Sequence, residues 1–249
     1  MINNKLLLNV YENPKLNSKI STQLLYGEEF KILSNNKKWT KIKTLFDNYT
    51  GYIKYNSYVN KFVSTHKVFK LKTKIFKKPF NKKKYETKKF LFFASKIFVI
   101  QKYNEFVEFE KNLWIKKKDL KNINDIENNF IKIVRLFLGT KYLWGGKTYN
   151  GIDCSALLQL IFFYNGKFYP RDTKDQFKYM KNKKELKFFK KGDIIFWKGH
   201  VAICINKKLL IHAYGPKKKV IIMNINNTII EIKTRSKLEV IGIKNINDI

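Results

Sequence analysis

The stretch that most constrains this chain runs from Tyr142 to Gln159, YLWGGKTYNGIDCSALLQ. Gly145, Gly146 and Gly151 keep its first half irregular, and an apolar run from Ala156 to Phe163 follows. Asp153 is a natural helix N-cap, because a short acidic side chain can accept an orphan backbone N–H. The residues from Ser155 onward read as a helix start. Cys154, one of only two cysteines, then falls in the first turn. Unpaired N–H groups and the positive end of the helix dipole favour a thiolate there, and the thiolate is the nucleophilic form. A free cysteine is also commonly a small buried hydrophobe, so this window alone leaves two readings open.

The histidines decide between them. The chain has three, His66, His200 and His212, and the last two share one apolar block, GDIIFWKGHVAICINKKLLIHAYG. Ile194–Trp197, His200–Ile205 and Leu209–Tyr214 read as β segments, with Asn206, Lys207 and Lys208 as the turn between the last two. A hairpin centred on Lys207 sets His200 opposite Tyr214 and Ala202 opposite His212. The two imidazoles then share a face as diagonal neighbours, about 7–8 Å apart at the backbone and within reach through their rings. One can contact the sulfur while the other holds its ring, which is the logic of a thiol nucleophile with base and orienter. Two histidines also suggest zinc, but no third ligand stands at suitable spacing. No metal and no cofactor are expected.

These residues resemble the NlpC family of bacterial cell-wall cysteine peptidases. The matching pieces are Tyr142-Leu-Trp-Gly-Gly, Gly151-Ile-Asp-Cys-Ser, Pro170-Arg-Asp-Thr followed by Gln176, Gly192-Asp-Ile-Ile-Phe-Trp, Gly199-His-Val-Ala-Ile and Ile211-His-Ala, in the family's order over roughly residues 128–230. Ala156 stands where the family often has glycine, and alanine is a good helix former. The resemblance implies a papain-like α+β fold with Cys154, His200 and His212 as the catalytic residues. It further implies that Tyr142 and the Cys154 N–H hold the oxyanion and that Trp144 lines the cleft. By the same resemblance Asp153 and Ser155 hold the substrate backbone and amine, and Asp172 and Thr173 contact the substrate. Asp193 reads as a turn residue.

With 44% hydrophobic and 16% aromatic residues, the 249-residue chain has ample material for packed cores. Its net charge of +33 would ordinarily suggest nucleic acid or an anionic surface. The lysines, however, run through every segment and travel with Asn, Ile, Phe and Tyr, residues whose codons are rich in A and T. Base composition accounts for them, and no nucleic-acid partner is expected. A weak gain remains, since carboxylate-rich wall peptides would be drawn to such a surface. Two cysteines make no disulfide framework, and Cys204 reads as core. The N-terminus has only Leu6-Leu7-Leu8 as an apolar run, too short for a secretory signal. No run approaches a membrane span. A cytoplasmic monomer is expected.

Before residue 122 the chain is dense in short strand signals: Leu6–Tyr11, Thr22–Leu25, Glu29–Leu33, Trp39–Lys43, Gly51–Ile53 and Tyr58–Lys61. The last five resemble a bacterial SH3-like barrel, and a second round follows through Phe90–Ile100, Glu105–Phe109 and Trp114–Leu120. Ile53 and Ile115 take equivalent places 62 residues apart. The expected organisation is therefore a first SH3-like β-barrel over 1–64, a second over 65–122 and a catalytic domain over 123–249. The basic stretch Phe76–Lys89 reads as a solvated loop, and His66 as part of a linker between barrels. Phe130–Gly139 has helical spacing and ends on a glycine C-cap.

Two such barrels ahead of this catalytic core resemble one subgroup of the family. Its members hydrolyse free murein peptides between γ-D-glutamate and the diamino acid. In that subgroup the first barrel closes the site, and a glutamate and a tyrosine read a free N-terminal L-alanine. Glu28 and Tyr49 are the positional matches. A hydrolase of intact wall and a non-catalytic basic binding protein are the alternatives.

Overall fold

The computed structural model describes residues 1–36, 38–54, 62–180 and 188–248. They form two compact units, one of residues 1–127 with 163–166, the other of 128–162 with 167–249.

The first unit is built from antiparallel strands. β1 (Leu7–Tyr11), β2 (Ile20–Leu25), β3 (Phe30–Asn35), β4 (Trp39–Thr44) and β5 (Thr50–Lys54) form a sheet in the order β2-β1-β5-β4-β3. β6 (His66–Val68), β7 (Lys72–Phe76), β8 (Glu86–Phe92), β9 (Lys96–Ile97), β10 (Gln101–Tyr103), β11 (Phe106–Glu110), β12 (Leu113–Lys116) and β13 (Leu120–Asn122) follow. Of these, a second five-stranded sheet runs β10-β11-β12-β7-β8. Read from its other edge, the first sheet is β3-β4-β5-β1-β2, so the two match strand for strand. Ile53 and Ile115 are both fully buried on matching strands, in separate apolar clusters. The internal repeat is thus present in the topology.

Two expectations change. His66 is not in a linker: it lies on β6, which pairs with β9 and β13 in a three-stranded sheet. The basic stretch does connect β7 to β8, but β8 begins at Glu86, inside it. The strand expected over Tyr58–Lys61 lies outside the described residues.

The second unit opens with α1 (Phe130–Leu136), capped by Asn129, whose side chain accepts the Ile131 N–H at 3.2 Å. α1 stops at Leu136, three residues short of Gly139, which takes φ +80° just beyond. β14 (Lys147–Thr148) and β15 (Gly151–Ile152) form a small ribbon, followed by α2 (Cys154–Tyr164) and α3 (Thr173–Tyr179). β16 (Asp193–Trp197), β17 (His200–Cys204), β18 (Leu209–Tyr214), β19 (Lys219–Asn224), α4 (Ile225–Ser236) and β20 (Val240–Asn245) complete it. The antiparallel sheet runs β19-β18-β17-β16-β20. Ile195, Trp197, Cys204 and Leu210 pack with Ile225 and Ile232 of α4 in one buried cluster. Ile194, Phe196, Ile203 and Ile211, at the alternating positions, are buried too. The central strands are therefore apolar on both faces, and each such side chain contributes about 1.5–3 kcal/mol by leaving water. Among the described residues, no helix is long and apolar enough to cross a membrane.

Candidate active site

The β17–β18 hairpin has the register derived above, with Ile203 opposite Ile211 and Cys204 opposite Leu210. That register brings His200 and His212 together on one face. His200 Nε2 lies 2.9 Å from His212 Nδ1, a hydrogen bond between the rings. Tyr214 stacks on His212, with centroids 4.6 Å apart at 13°, and lies 5.6 Å from the His200 ring. Trp197, opposite His200 on β16, holds its other side at 5.5 Å. Both imidazoles are thus fixed in orientation by aromatic neighbours as well as by each other.

Cys154 is the first residue of α2 and is buried. The backbone N–H groups of Val201, the residue after His200, and of Ser155 act on its sulfur and favour the thiolate. The thiol therefore sits at the start of β17. With Nε2 of His200 taken by His212, Nδ1 is the nitrogen left to act on a proton.

The helix start was expected to favour a thiolate, but burial outweighs it. Burial first, then the Asp153 carboxylate, push the Cys154 thiol up to about 11, against the Val201 N–H, Arg171 and the Ser155 N–H. Burial likewise draws His200 down to about 4. His212 lies well below the usual imidazole range through burial and then the His200 charge. These directions favour a neutral thiol and neutral imidazoles over an ion pair in the resting site.

What fixes the helix start is a buried ion pair. Arg171 grips Asp153 with both terminal nitrogens, at 3.0 and 2.7 Å, and also donates to Ser155 Oγ at 2.8 Å. Asp153 accepts in addition from the N–H groups of Gly145 and Ala156 and from Ser155 Oγ. Removing one partner of such a pair leaves the other charge buried and alone, at a cost of about 3–5 kcal/mol. Gln176 closes the network, its amide donating to the carbonyls of Ser155 and Pro170, each at 2.9 Å. Asp153 was expected to contact substrate, yet both its oxygens already accept from within the unit. A substrate amine would have to share one of them.

The Tyr142 hydroxyl titrates above the ordinary tyrosine range, through burial first and then the charges of Cys154 and Asp153, with Arg171 opposing. Trp144 is 59% exposed on the glycine-rich loop. Asp172 is exposed at the N-cap position of α3, without a side-chain capping bond, and Thr173 is buried as the first residue of that helix. Glu28 and Tyr49 belong to the first unit. Glu28 is buried in the turn after β2, and Tyr49 is half-buried before β5, its N–H donating to Thr44 Oγ1 at 2.8 Å. Asp193 is structural, accepting from the Lys190 N–H and from Asn245.

Two residues were not foreseen. Arg171 stood inside the quoted Pro170-Arg-Asp-Thr, but it lies 18 residues from Asp153 and no local signal pairs the two. Met223 lies on β19, a strand that was not anticipated, with its sulfur 3.3 Å from His212 Nε2.

A cysteine at a helix start beside paired histidines on an antiparallel sheet defines a papain-like cysteine peptidase domain. Residues 139–239 match the NlpC/P60 family, and residues 10–57 match the bacterial dipeptidyl-peptidase Sh3 domain. The chain carries an NlpC/P60 cysteine peptidase domain together with this SH3-like domain. It is similar to the dipeptidyl-peptidase 6 of Lysinibacillus sphaericus, with 33% identity over 85 residues, 34% of this chain and 31% of that protein. It is also similar to the γ-D-glutamyl-L-lysine dipeptidyl-peptidase of Bacillus cereus, with 27% identity over 84% of this chain and 72% of that one. The match thus spans about a third of the first relative's length and nearly three quarters of the second's. The crystal structure of a Bacillus cereus NlpC/P60 family protein shares the fold, with a TM-score of 0.72 and 23% identity over 92% of this chain and 82% of that one.

Proposed function

We propose that this protein is a cysteine endopeptidase that hydrolyses the γ-D-glutamyl–diamino acid bond of free murein peptides. The observation that carries the reading is the 2.9 Å bond between His200 Nε2 and His212 Nδ1, with Val201, the next residue, acting through its N–H on the Cys154 thiol. The names of the relatives supply the substrate class. The proposed division of the chain is 1–64, 65–122 and 123–249, supported by the matching strand orders of the first two sheets.

In the proposed reaction the Cys154 proton passes to His200 Nδ1 as the sulfur attacks the γ-glutamyl carbonyl. Charge develops on two groups only once substrate has displaced water, which suits a neutral resting pair. The tetrahedral oxyanion is held by the Cys154 N–H, an orphan donor of the helix start, and by the Tyr142 hydroxyl. His200 then gives its proton to the leaving α-amine of the diamino acid. It next takes one from water, which releases the acyl group and regenerates the thiol. Trp144, Asp172 and Thr173 are the proposed cleft contacts. A free N-terminal L-alanine is the proposed requirement, with Glu28 and Tyr49 as the residues to test for reading its amine.

The test is mass spectrometry of the protein incubated with L-Ala-γ-D-Glu-meso-diaminopimelate and its N-acetylated form, with Cys154→Ala alongside. Release of L-Ala-D-Glu by the unaltered protein only, with the acetylated peptide spared, is the expected result. Equal cleavage of both peptides would remove the amine requirement, and no cleavage of either under reducing conditions would overturn the peptidase reading.

A further inference from the structure

His212 meets three neighbours. Its Nδ1 faces His200 Nε2 at 2.9 Å, its ring face meets Tyr214, and its Nε2 faces the sulfur of Met223 at 3.3 Å. The sheet explains the last contact. Ile221 lies opposite His212 and Met223 opposite Leu210, so Met223 is the diagonal neighbour of His212 on the same face. His212 is 1% exposed, so water does not compete freely for its nitrogen.

We propose that Met223 is a positioning residue, whose sulfur accepts the Nε2–H of His212 and thereby sets the tautomers of both histidines. The argument runs through proton placement. The bond between the rings holds a single proton, on His200 Nε2 or on His212 Nδ1. If His212 Nδ1 held it, His212 Nε2 would be a bare lone pair aimed at the sulfur lone pairs. His200 would then accept at Nε2, and as a neutral ring it would present N–H at Nδ1, where it could not take a proton. If His212 instead holds its proton at Nε2, the thioether accepts it, and sulfur is a weak acceptor but no donor. His212 Nδ1 is then the acceptor, His200 donates from Nε2, and His200 Nδ1 is the free base that the reaction requires. A second nitrogen's hydrogen bond commonly selects the tautomer of an imidazole in this way. Here the selecting atom is a sulfur one residue from the end of β19.

The kinetic part of this inference rests on the peptidase reading; the tautomer does not. The chain has only three histidines, so ring ¹⁵N spectra of the histidine-labelled full-length protein are readily assigned. The expected spectrum at neutral pH has His212 protonated at Nε2 and bare at Nδ1. Met223→Leu keeps the bulk and removes the acceptor. In that variant the His212 signals should move toward a mixture of tautomers, and kcat on the diaminopimelate peptide should fall about three- to tenfold with KM unchanged. Met223→Gln, which restores an acceptor oxygen, should recover most of the loss. A proton on His212 Nδ1 in the unaltered protein would overturn the assignment. So would a Met223→Leu protein with unchanged spectrum, whether or not its activity falls. Absence of hydrolysis by the unaltered protein would sink the peptidase reading and leave the spectrum to judge the tautomer.

Discussion

Burial governs the chemistry of Cys154. The helix start and the Val201 and Ser155 N–H groups pull its proton off, but desolvation in a site closed by apolar strands pushes it back on, and the thiol ends near 11. His200 moves the other way, to about 4. The sign follows directly: a raised thiol pKa means that thiolate accumulates only as pH rises toward 11, and a lowered imidazole pKa means that no imidazolium forms above about 4 to hold it earlier. The alkylation rate of Cys154 by iodoacetamide, a reagent that consumes thiolate, should therefore climb about tenfold per pH unit between 6 and 9. Peptide mapping separates Cys154 from Cys204, which burial raises to about 12. A rate already level from pH 5 upward would mean that the resting site is a thiolate–imidazolium pair.

The elements show what the sequence made legible and what it hid. The hairpin carrying the histidines was readable because Asn206-Lys-Lys is an unambiguous turn between two apolar runs, and its register follows from that turn alone. α2 was readable because Asp153 caps it, as its 2.8 Å bond to the Ala156 N–H bears out. β19, α4 and β20 were not, since runs such as Lys219–Asn224 and Ile225–Ser236 mix isoleucine with asparagine and lysine at both helical and strand spacings. The Arg171–Asp153 pair joins residues 18 apart, and nothing local announces it. The second SH3-like copy was faint because it lost its glycines. In the first, the turn after β2 places Gly27 at φ +81°, and the Glu28 N–H returns to Leu25. In the second, the Ser95 N–H returns to Phe92 in the same way, but Ala94 stands at φ +65°. A side chain in that region costs about 1–2 kcal/mol, while glycine's extra freedom in the unfolded chain takes back about 0.4–1. Ala94→Gly should therefore stabilise the protein by about 0.5–1 kcal/mol, read as a higher denaturation midpoint in urea. Gly27→Ala should do the reverse and by more, because its new carbon would stand 2.1 Å from the Lys96 carbonyl oxygen. A destabilised Ala94→Gly would show that the lost methyl contacts outweigh the relieved strain.

At the scale of the whole molecule the dominant quantity is the net charge of +33. Its lysines are spread along the chain, so they generate a general positive field more than a site. Such a field acts on encounter rate and is screened by salt: the Debye length is about 30 Å at 0.01 M and about 8 Å at 0.15 M. Its effect depends on the net charge of what approaches. The proposed substrates differ in that respect. In L-Ala-γ-D-Glu-L-Lys two amines balance two carboxylates, whereas meso-diaminopimelate brings one carboxylate more and leaves one net negative charge. Raising salt from 10 to 300 mM at neutral pH should therefore lower kcat/KM for the diaminopimelate peptide by about threefold or more. The lysine peptide should change by less than about twofold, and kcat should hold for both, because the bound complex no longer depends on the distant field. Equal salt effects on the two peptides would show that the lysines do no steering and serve only to keep a lysine-rich surface in solution.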